Sequence, residues 1–446
     1  MLHICRSKEQ LQRIIMNKIF TFILLLCVGV ISANELRIPD ANFKNYLINE
    51  SGVDTNGDGK IQLSEAENFS GGLYCQGKGI KSLRGIQAFV NLTGLWCNDN
   101  EITRLDLSRN KSLVSLYCYN NKLKQLHIGR NRALKYLYCY NNELRQLHLW
   151  GTPSLTMLHC YENKLRWLNI SGSRKLTDIY CYNNQLLSLD VSKARSLQRL
   201  YCYNNELYCL DVSKNSCLTD LYCYDNNLVS LNVKGADSLR LLYCYNNLLR
   251  RLNASTNSSL EHLYCYNNSI QSLNVSGATA LQLLYCYNNK IKCLDVSNNK
   301  ELTDLYCYNN DLVTLNIRNG ANTNLTSFSA TGNKDLRCIQ VDDQAYAESE
   351  GCWYIDCKAY YRENCCGDGQ VSLQNVVVGP NPVRNILRID GRGATIESVR
   401  LLHFSGREIL RTQDTEIDVS NLRRGLYLVR VHGSDTNFIT RMIIKR

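Results

Sequence analysis

Apolar residues in this chain recur in a fixed block of 21 residues rather than at a continuous helical spacing. In one block, Leu197, Leu200, Cys202, Leu207, Leu210 and Val212 alternate with Tyr201, Tyr203, Asn204, Asn205, Asp211 and Ser213. Leu200 and Cys202 lie two apart, as do Leu210 and Val212, which is the spacing of a short strand with one face turned inward. The second half of the block repeats the Leu-x-x-Leu spacing of the first, so the pattern predicts two short parallel strands per turn. The phase is exact over eleven turns: Cys97, Cys118, Cys139, Cys160, Cys181, Cys202, Cys223, Cys244, Cys265, Cys286 and Cys307 are spaced by 21. Self-similarity at such a period predicts a stacked solenoid, which grows in length without enlarging its core.

The columns of the repeat have separable roles. Cys75 and the eleven phased cysteines account for twelve of the 22 in the chain. As small hydrophobes pointing inward side by side, they have poor geometry for disulfides, so a ladder of free buried thiols is expected. With no histidine or carboxylate neighbours, this column is not a zinc site. Asn100, Asn121, Asn142, Asn163, Asn184, Asn205, Asn226, Asn247, Asn268, Asn289 and Asn310 form a second ladder, whose amides can satisfy backbone groups at the turn. The block Leu-x-x-Leu-Tyr-Cys-Tyr-Asn-Asn resembles the leucine-rich repeat, with cysteine replacing the third leucine of Leu-x-x-Leu-x-Leu-x-x-Asn. The resemblance spans residues 73 to about 335. It implies a β-rich leucine-rich-repeat solenoid of short parallel strands.

The outward positions are where a partner is expected. Tyrosine flanks the cysteine on both sides. Tyr117, Tyr138, Tyr180, Tyr201, Tyr222, Tyr243 and Tyr264 precede it, and Tyr119, Tyr140, Tyr182, Tyr203, Tyr224, Tyr245 and Tyr266 follow it. These residues would stabilise neighbouring rungs through ring contacts. They also form a candidate ligand surface, because exposed aromatics with hydroxyl tips are favoured at interfaces. A face repeated so faithfully suits a repetitive partner: a polysaccharide, mucin-like chains or another copy of the same protein.

Charge adds one feature. Between Arg109 and Arg199 stand fifteen Lys/Arg against four Asp/Glu, an excess that equals the net charge of the whole chain, +11. This cluster is a solvated flank or a side able to hold anionic sugars or host surfaces. His127 and His148 share an outward column within it, without an evident third ligand for a metal. No nucleic-acid-binding motif is present.

At the amino terminus, Met16-Asn17-Lys18 and the apolar run from Ile19 to Val30, followed by Ile31-Ser32-Ala33, have the pattern of a cleaved secretory signal. Residues 1–33 are assigned to it, with Met16 as the start. The run is too short to span a membrane. Residues 34–72 are expected to form a helical cap, with Phe43, Tyr46 and Leu47 on one face. Within it, Asp54 to Glu65 matches a twelve-residue calcium loop. Asp54, Asn56 and Asp58 supply side-chain oxygens, Gly59 the sharp turn, Lys60 its carbonyl and Glu65 a two-oxygen carboxylate. Calcium would act structurally, stapling the cap over the first repeat.

Beyond Asn310 the phase slips and Ala330 takes the cysteine column. Residues 336–370 form a cysteine-rich cap and linker, in which Cys338, Cys352, Cys357, Cys365 and Cys366 are expected to engage in disulfides of undecided pairing. The remainder, 371–446, reads as an all-β sandwich. Gly379-Pro380-Asn381-Pro382-Val383, Ser398 to Arg407, Val419 to Val431 and the terminal Ile443-Ile444-Lys445-Arg446 resemble the carboxy-terminal sorting domain of the type IX secretion system of the Bacteroidetes. That resemblance implies export by the type IX machinery, removal of the domain and attachment of the rest to the cell surface.

The solenoid also resembles internalin-type surface proteins whose repeats carry a cysteine ladder. This implies adhesion to a host protein or glycan, or to neighbouring bacteria in aggregates and biofilm. Glycan capture for nutrition is the alternative. The repeats present no nucleophile–base pair, paired carboxylates or phosphate loop, so an enzyme is not expected.

Overall fold

A computed structural model describes residues 16, 35–365, 376–391, 396–433 and 438–446. The secretory-signal segment lies outside the described residues, Met16 excepted. The chain divides into two compact units, Met1–Tyr361 and Arg362–Arg446.

In the first unit, fourteen short strands from Gly72–Tyr74 to Trp353–Tyr354 pair in parallel, each on the next, in one continuous sheet. The register repeats from rung to rung: Arg199, Leu200 and Tyr201 lie opposite Asp220, Leu221 and Tyr222. Leu200, Cys202, Leu210 and Val212 are all buried, as the alternation requires. The twelve column cysteines are free buried thiols. Burial pushes thiols such as Cys139 and Cys181 up to about 12, so they remain neutral and unreactive.

The second strand of each turn behaves differently. Arg104–Asp106 pairs with Gln125–His127, Gln146–His148 with Trp167–Asn169, Cys209–Asp211 with Ser230–Asn232, and Arg251–Asn253 with Ser272–Asn274, but the pairs do not join one another. Leucines on the first strand of a pair are about as buried as any, such as Leu210 and Leu252 at 2%, while those on the second strand, such as Leu231 and Leu273, reach 8%. Curvature explains the asymmetry. Parallel strands sit roughly 4.8 Å apart, yet the tyrosine rings projecting from the continuous sheet stand 4.4 Å apart. Those rings converge, so the tyrosine face is the inner, concave side. The outer arc is longer and its ladder parts at intervals as far as Ser272–Asn274, beyond which Cys293–Asp295, Thr314–Asn316 and Cys338–Gln340 pair without a break.

The stack is closed at both ends. Helix α1 (Ala41–Asn49) buries Phe43, Tyr46 and Leu47, the residues expected from the sequence. Its N-cap Asp40 accepts a hydrogen bond from Phe43 N with one oxygen and from Lys81 N and Ser82 N with the other, binding the cap to the first turn. The Tyr46 hydroxyl accepts from Tyr74 N at 2.6 Å, which occupies a donor on the sheet edge. Helix α2 (Leu63–Asn68) begins within the Asp54–Glu65 segment and carries Glu65 in its first turn. At the far end the parallel sheet outlasts the repeat, because strand pairing needs only backbone groups and an inward apolar residue. Trp353, buried and donating from Nε1 to Leu325 O, supplies that residue without any 21-residue phase. Cys338 and Cys365 are disulfide-bonded. Cys352 and Cys357, expected in disulfides, are instead exposed free thiols.

In the second unit, two antiparallel sheets share a separate core that includes Leu387, Val399, Leu401, Val429 and Val431. One comprises Val377–Gly379, Ile386–Asp390 and Glu416–Asp418. The other comprises Ile396–His403, Glu408–Thr412, Gly425–Gly433 and Phe438–Lys445. They fit the β-sandwich expected of this segment.

Candidate binding surface

The asparagine ladder holds the inner turn in place. Asn226 Nδ2 donates to the carbonyls of Cys202, Cys223 and Tyr224, and its Oδ1 accepts from Leu207 N. Each amide therefore ties its own turn to the preceding one, and the arrangement recurs at Asn205 and Asn247. The residue before it carries a feature that hydrophobic patterning missed. Asn204 and its equivalents adopt left-handed backbone, with φ near 50°. Asparagine and aspartate tolerate this region better than other side-chain-bearing residues, which accounts for the first Asn of the Asn-Asn pair. Their side chains make an exposed amide ladder of their own, for example Asn267 Nδ2 to Asn246 Oδ1 at 2.8 Å.

The tyrosines form two parallel stacks on the concave face. The column after the cysteine is unbroken from Tyr119 through Tyr140, Tyr161, Tyr182, Tyr203, Tyr224, Tyr245, Tyr266 and Tyr287 to Tyr308, with centroids 4.4–4.5 Å apart and planes within 9°. The preceding column contains Tyr117, Tyr138, Tyr180, Tyr201, Tyr222, Tyr243 and Tyr264. It is interrupted by His159 and by an edge-on contact between Tyr180 and Tyr201. These rings are half-buried because their faces cover one another. A partner would meet ring edges and hydroxyl tips, not open ring faces. Burial and the neighbouring rings hold phenols such as Tyr224 up to about 12, so the tips stay neutral and can both donate and accept.

The interruption at His159 has its own chemistry. Asp178, buried, is ion-paired with the Arg199 guanidinium and accepts from Thr177 Oγ1. Burial depresses the His159 pKa to about 4, the Asp178 charge opposing and Arg199 assisting. Its Nε2 is buried without a hydrogen-bond partner.

In the calcium-loop segment the expected ligands fold over the loop backbone. Asp54 accepts from Gly57 N and Gly59 N, Asn56 from Asp58 N, and Asp58 from Lys60 N. Glu65 reaches back to accept from Thr55 and from Gln62 N. Burial works against the Glu65 carboxylate, but those donors outweigh it and keep its pKa below the usual range. Among the described residues Glu65 has no Lys or Arg in ion-pair reach. This oxygen-only donor set suits a hard cation, although among the described residues no three Asp, Glu, His or Cys side chains converge to metal-binding distance.

The basic cluster is spread along the flank. Lys122 and Lys164 are paired with Glu101 and Glu143 at 2.9 and 3.2 Å. Lys124, Arg145 and Arg166 share one exposed outer column, and His127 and His148 are exposed beside it.

The architecture is a leucine-rich-repeat solenoid followed by a sorting domain. Residues 377–445 match the secretion system C-terminal sorting domain, which marks the chain for export to the cell surface or beyond. No curated protein matches the chain. Among solved structures it is similar to an internalin, inlF of Listeria monocytogenes, at 21% identity over 72% of this chain and 95% of that one, with a TM-score of 0.51. It is also similar to the functional domain of InlJ of the same organism, which includes a cysteine ladder, at 24% identity over 92% and 97% of the two chains, TM-score 0.45. YopM of Yersinia enterocolitica matches at 26% identity over 60% and 55%, TM-score 0.47. Among the described residues no helix is long and apolar enough to cross a membrane.

Proposed function

We propose that this protein is a cell-surface adhesin, not an enzyme, that attaches the bacterium to host material or to neighbouring cells through its concave tyrosine face. The observation that carries this reading is the uniform tyrosine stack. Ten rungs present the same hydroxyl row at one spacing, which suits a repetitive partner engaging many weak contacts at once. The sorting domain supports display where such a partner would be met.

The test is a strain in which Tyr203, Tyr224 and Tyr245 are changed together to serine. Attachment, aggregation or biofilm mass should fall by about tenfold or more, since aromatic contacts at an interface are commonly worth over 1 kcal/mol each. Loss of thermal stability with attachment intact would leave the tyrosines only a structural role. Intact attachment with lost growth on a host glycan would favour nutrient capture instead.

We also propose a structural calcium ion in the cap, held by side-chain oxygens of Asp54, Asn56, Asp58 and Glu65 and the carbonyl of Lys60. For a site of about 10⁻⁴ M in millimolar calcium, binding adds about 1.4 kcal/mol to stability. Calcium titration should raise the melting temperature of the wild-type chain and not that of Asp54→Ala. No shift in the wild type would remove the ion from the account.

A further inference from the structure

The convex side carries a second feature, which owes nothing to the tyrosine face. Its outer ladder parts between the strands Gln125–His127 and Gln146–His148, and there Leu126 is only partly buried, whereas its counterparts Leu105 and Leu147 are fully enclosed. The gap opens a hollow of about 540 Å³ bordered by Lys124, Gln125, His127, Gln146, His148 and Trp150. A second hollow of about 540 Å³, sharing Lys124 and Gln125, adds Arg104, Arg145 and the ion-paired Glu143 and Lys164. A third, of about 310 Å³, lies between Trp150 and the side chains of Arg130 and Arg132. The three adjoin one another at Lys124, Gln125 and Trp150, a row of hollows that we treat as one furrow across several rungs.

The side chains here break the repeat in a consistent direction. Trp150 occupies a column that elsewhere holds mostly small residues such as Ser108, Gly129, Ser171, Ser192 and Ser213, with Lys234 and Arg318 further along, and it is 52% exposed. An exposed tryptophan costs solubility and adds nothing to this core, so the stack does not account for it. The Arg130 guanidinium lies over the indole, 5.0 Å from its ring centroid, in a cation–π contact. Trp167, 58% exposed, stands on the next strand of the same face. Lys124, Arg130, Arg132 and Arg145 have no carboxylate within ion-pair distance among the described residues, and Glu143, the carboxylate in the lining, is itself paired with Lys164, so the furrow keeps a positive field.

We propose that this furrow is a second binding site, for an acidic polysaccharide whose sugar ring packs on Trp150 while Lys124, Arg145 and Arg130 take its carboxylate or sulfate groups. The chemistry favours a glycan over an acidic polypeptide. The most exposed apolar surface is a flat indole, which matches the C–H face of a pyranose, with only the edges of Leu126 and Ile128 beneath it. Gln125 and Gln146, exposed on adjacent rungs, offer paired donors and acceptors that suit hydroxyls. A furrow shared between hollows along the stack admits a chain entering and leaving, as a polymer requires.

The experiment measures binding of the full chain to polygalacturonate, dextran sulfate, neutral dextran and polyglutamate. It compares wild type, Trp150→Ala, Trp150→Phe and the pair Lys124→Gln/Arg145→Gln. Wild type should bind one or both acidic polysaccharides and lose that binding as salt rises from about 0.05 to about 0.5 M. Which of the two it prefers distinguishes a carboxylate from a sulfate ligand. Trp150→Ala should weaken the binding by about tenfold with polyglutamate affinity unchanged, and Trp150→Phe should restore most of it. The charge pair should weaken both. Polysaccharide binding indifferent to Trp150→Ala, neutral dextran bound as tightly, or polyglutamate preferred with the same dependence on Trp150, the signature of an acidic protein partner, would each overturn the proposal. The Tyr203/Tyr224/Tyr245 variant should bind these polymers like wild type, so failure of the adhesin reading and failure of this one are distinguishable.

Discussion

Asn226→Ala should lower the unfolding free energy by about 2–4 kcal/mol, and Asn226→Asp by at least as much despite its identical shape. The alanine variant removes the acceptor for Leu207 N, and that buried donor then has no other partner. The carbonyls of Cys202 and Cys223 each keep one neighbouring ladder amide, Asn205 and Asn247 respectively, so their loss is partial. Aspartate keeps the acceptor but turns a second oxygen towards three carbonyls that Nδ2 now reaches at 3.0–3.2 Å. It must either bury repulsion or take up a proton. Chemical denaturation would give the loss, and hydrogen exchange would show it concentrated at Leu207 N and the adjoining rungs, because a solenoid is coupled mainly between neighbours. An aspartate variant as stable as wild type would mean that the ladder is not held by amide donors.

Acid should destabilise the stack through His159. Its folded pKa, about 4, lies below the unfolded value near 6.5, so the folded state disfavours the proton. The stability tied to neutral His159 is fully present above about pH 6.5 and is lost as pH falls towards 4. After discounting for partial exposure of the ring, this amounts to about 2 kcal/mol. His159→Tyr restores the residue type that fills most of the column, between Tyr138 and Tyr180. The variant should therefore lose less stability than wild type between pH 6.5 and 4. Carboxylates held below their usual range, such as Glu65 and Glu261, titrate in both proteins, so the difference between the curves isolates the histidine. Parallel curves would show that His159 is protonated in the folded stack at no cost.

The sequence made the inner architecture readable because each rung repeats the same local choices. Leu200 and Cys202 point inward by simple alternation, and Asn205 stands where a turn leaves carbonyls without partners. The same logic missed the left-handed backbone at Asn204, although an Asn or Asp before nearly every ladder asparagine was a usable signal. It also expected disulfides among Cys338, Cys352, Cys357, Cys365 and Cys366 without deciding the pairing, and Cys352 and Cys357 are free, since chain spacing says nothing of Cα separation.

By itself the sequence determined the rung, its period and the thiol and amide ladders, which follow from residue order and two-fold strand alternation, while the sorting domain was legible through its resemblance to a known family. The tertiary structure decided what depends on distance between rungs. Convergence of the concave side brings the tyrosines to 4.4 Å and hides their faces, and the longer convex arc parts the outer strands beside Trp150. Both arise from the curvature of the whole stack, which no single 21-residue unit contains.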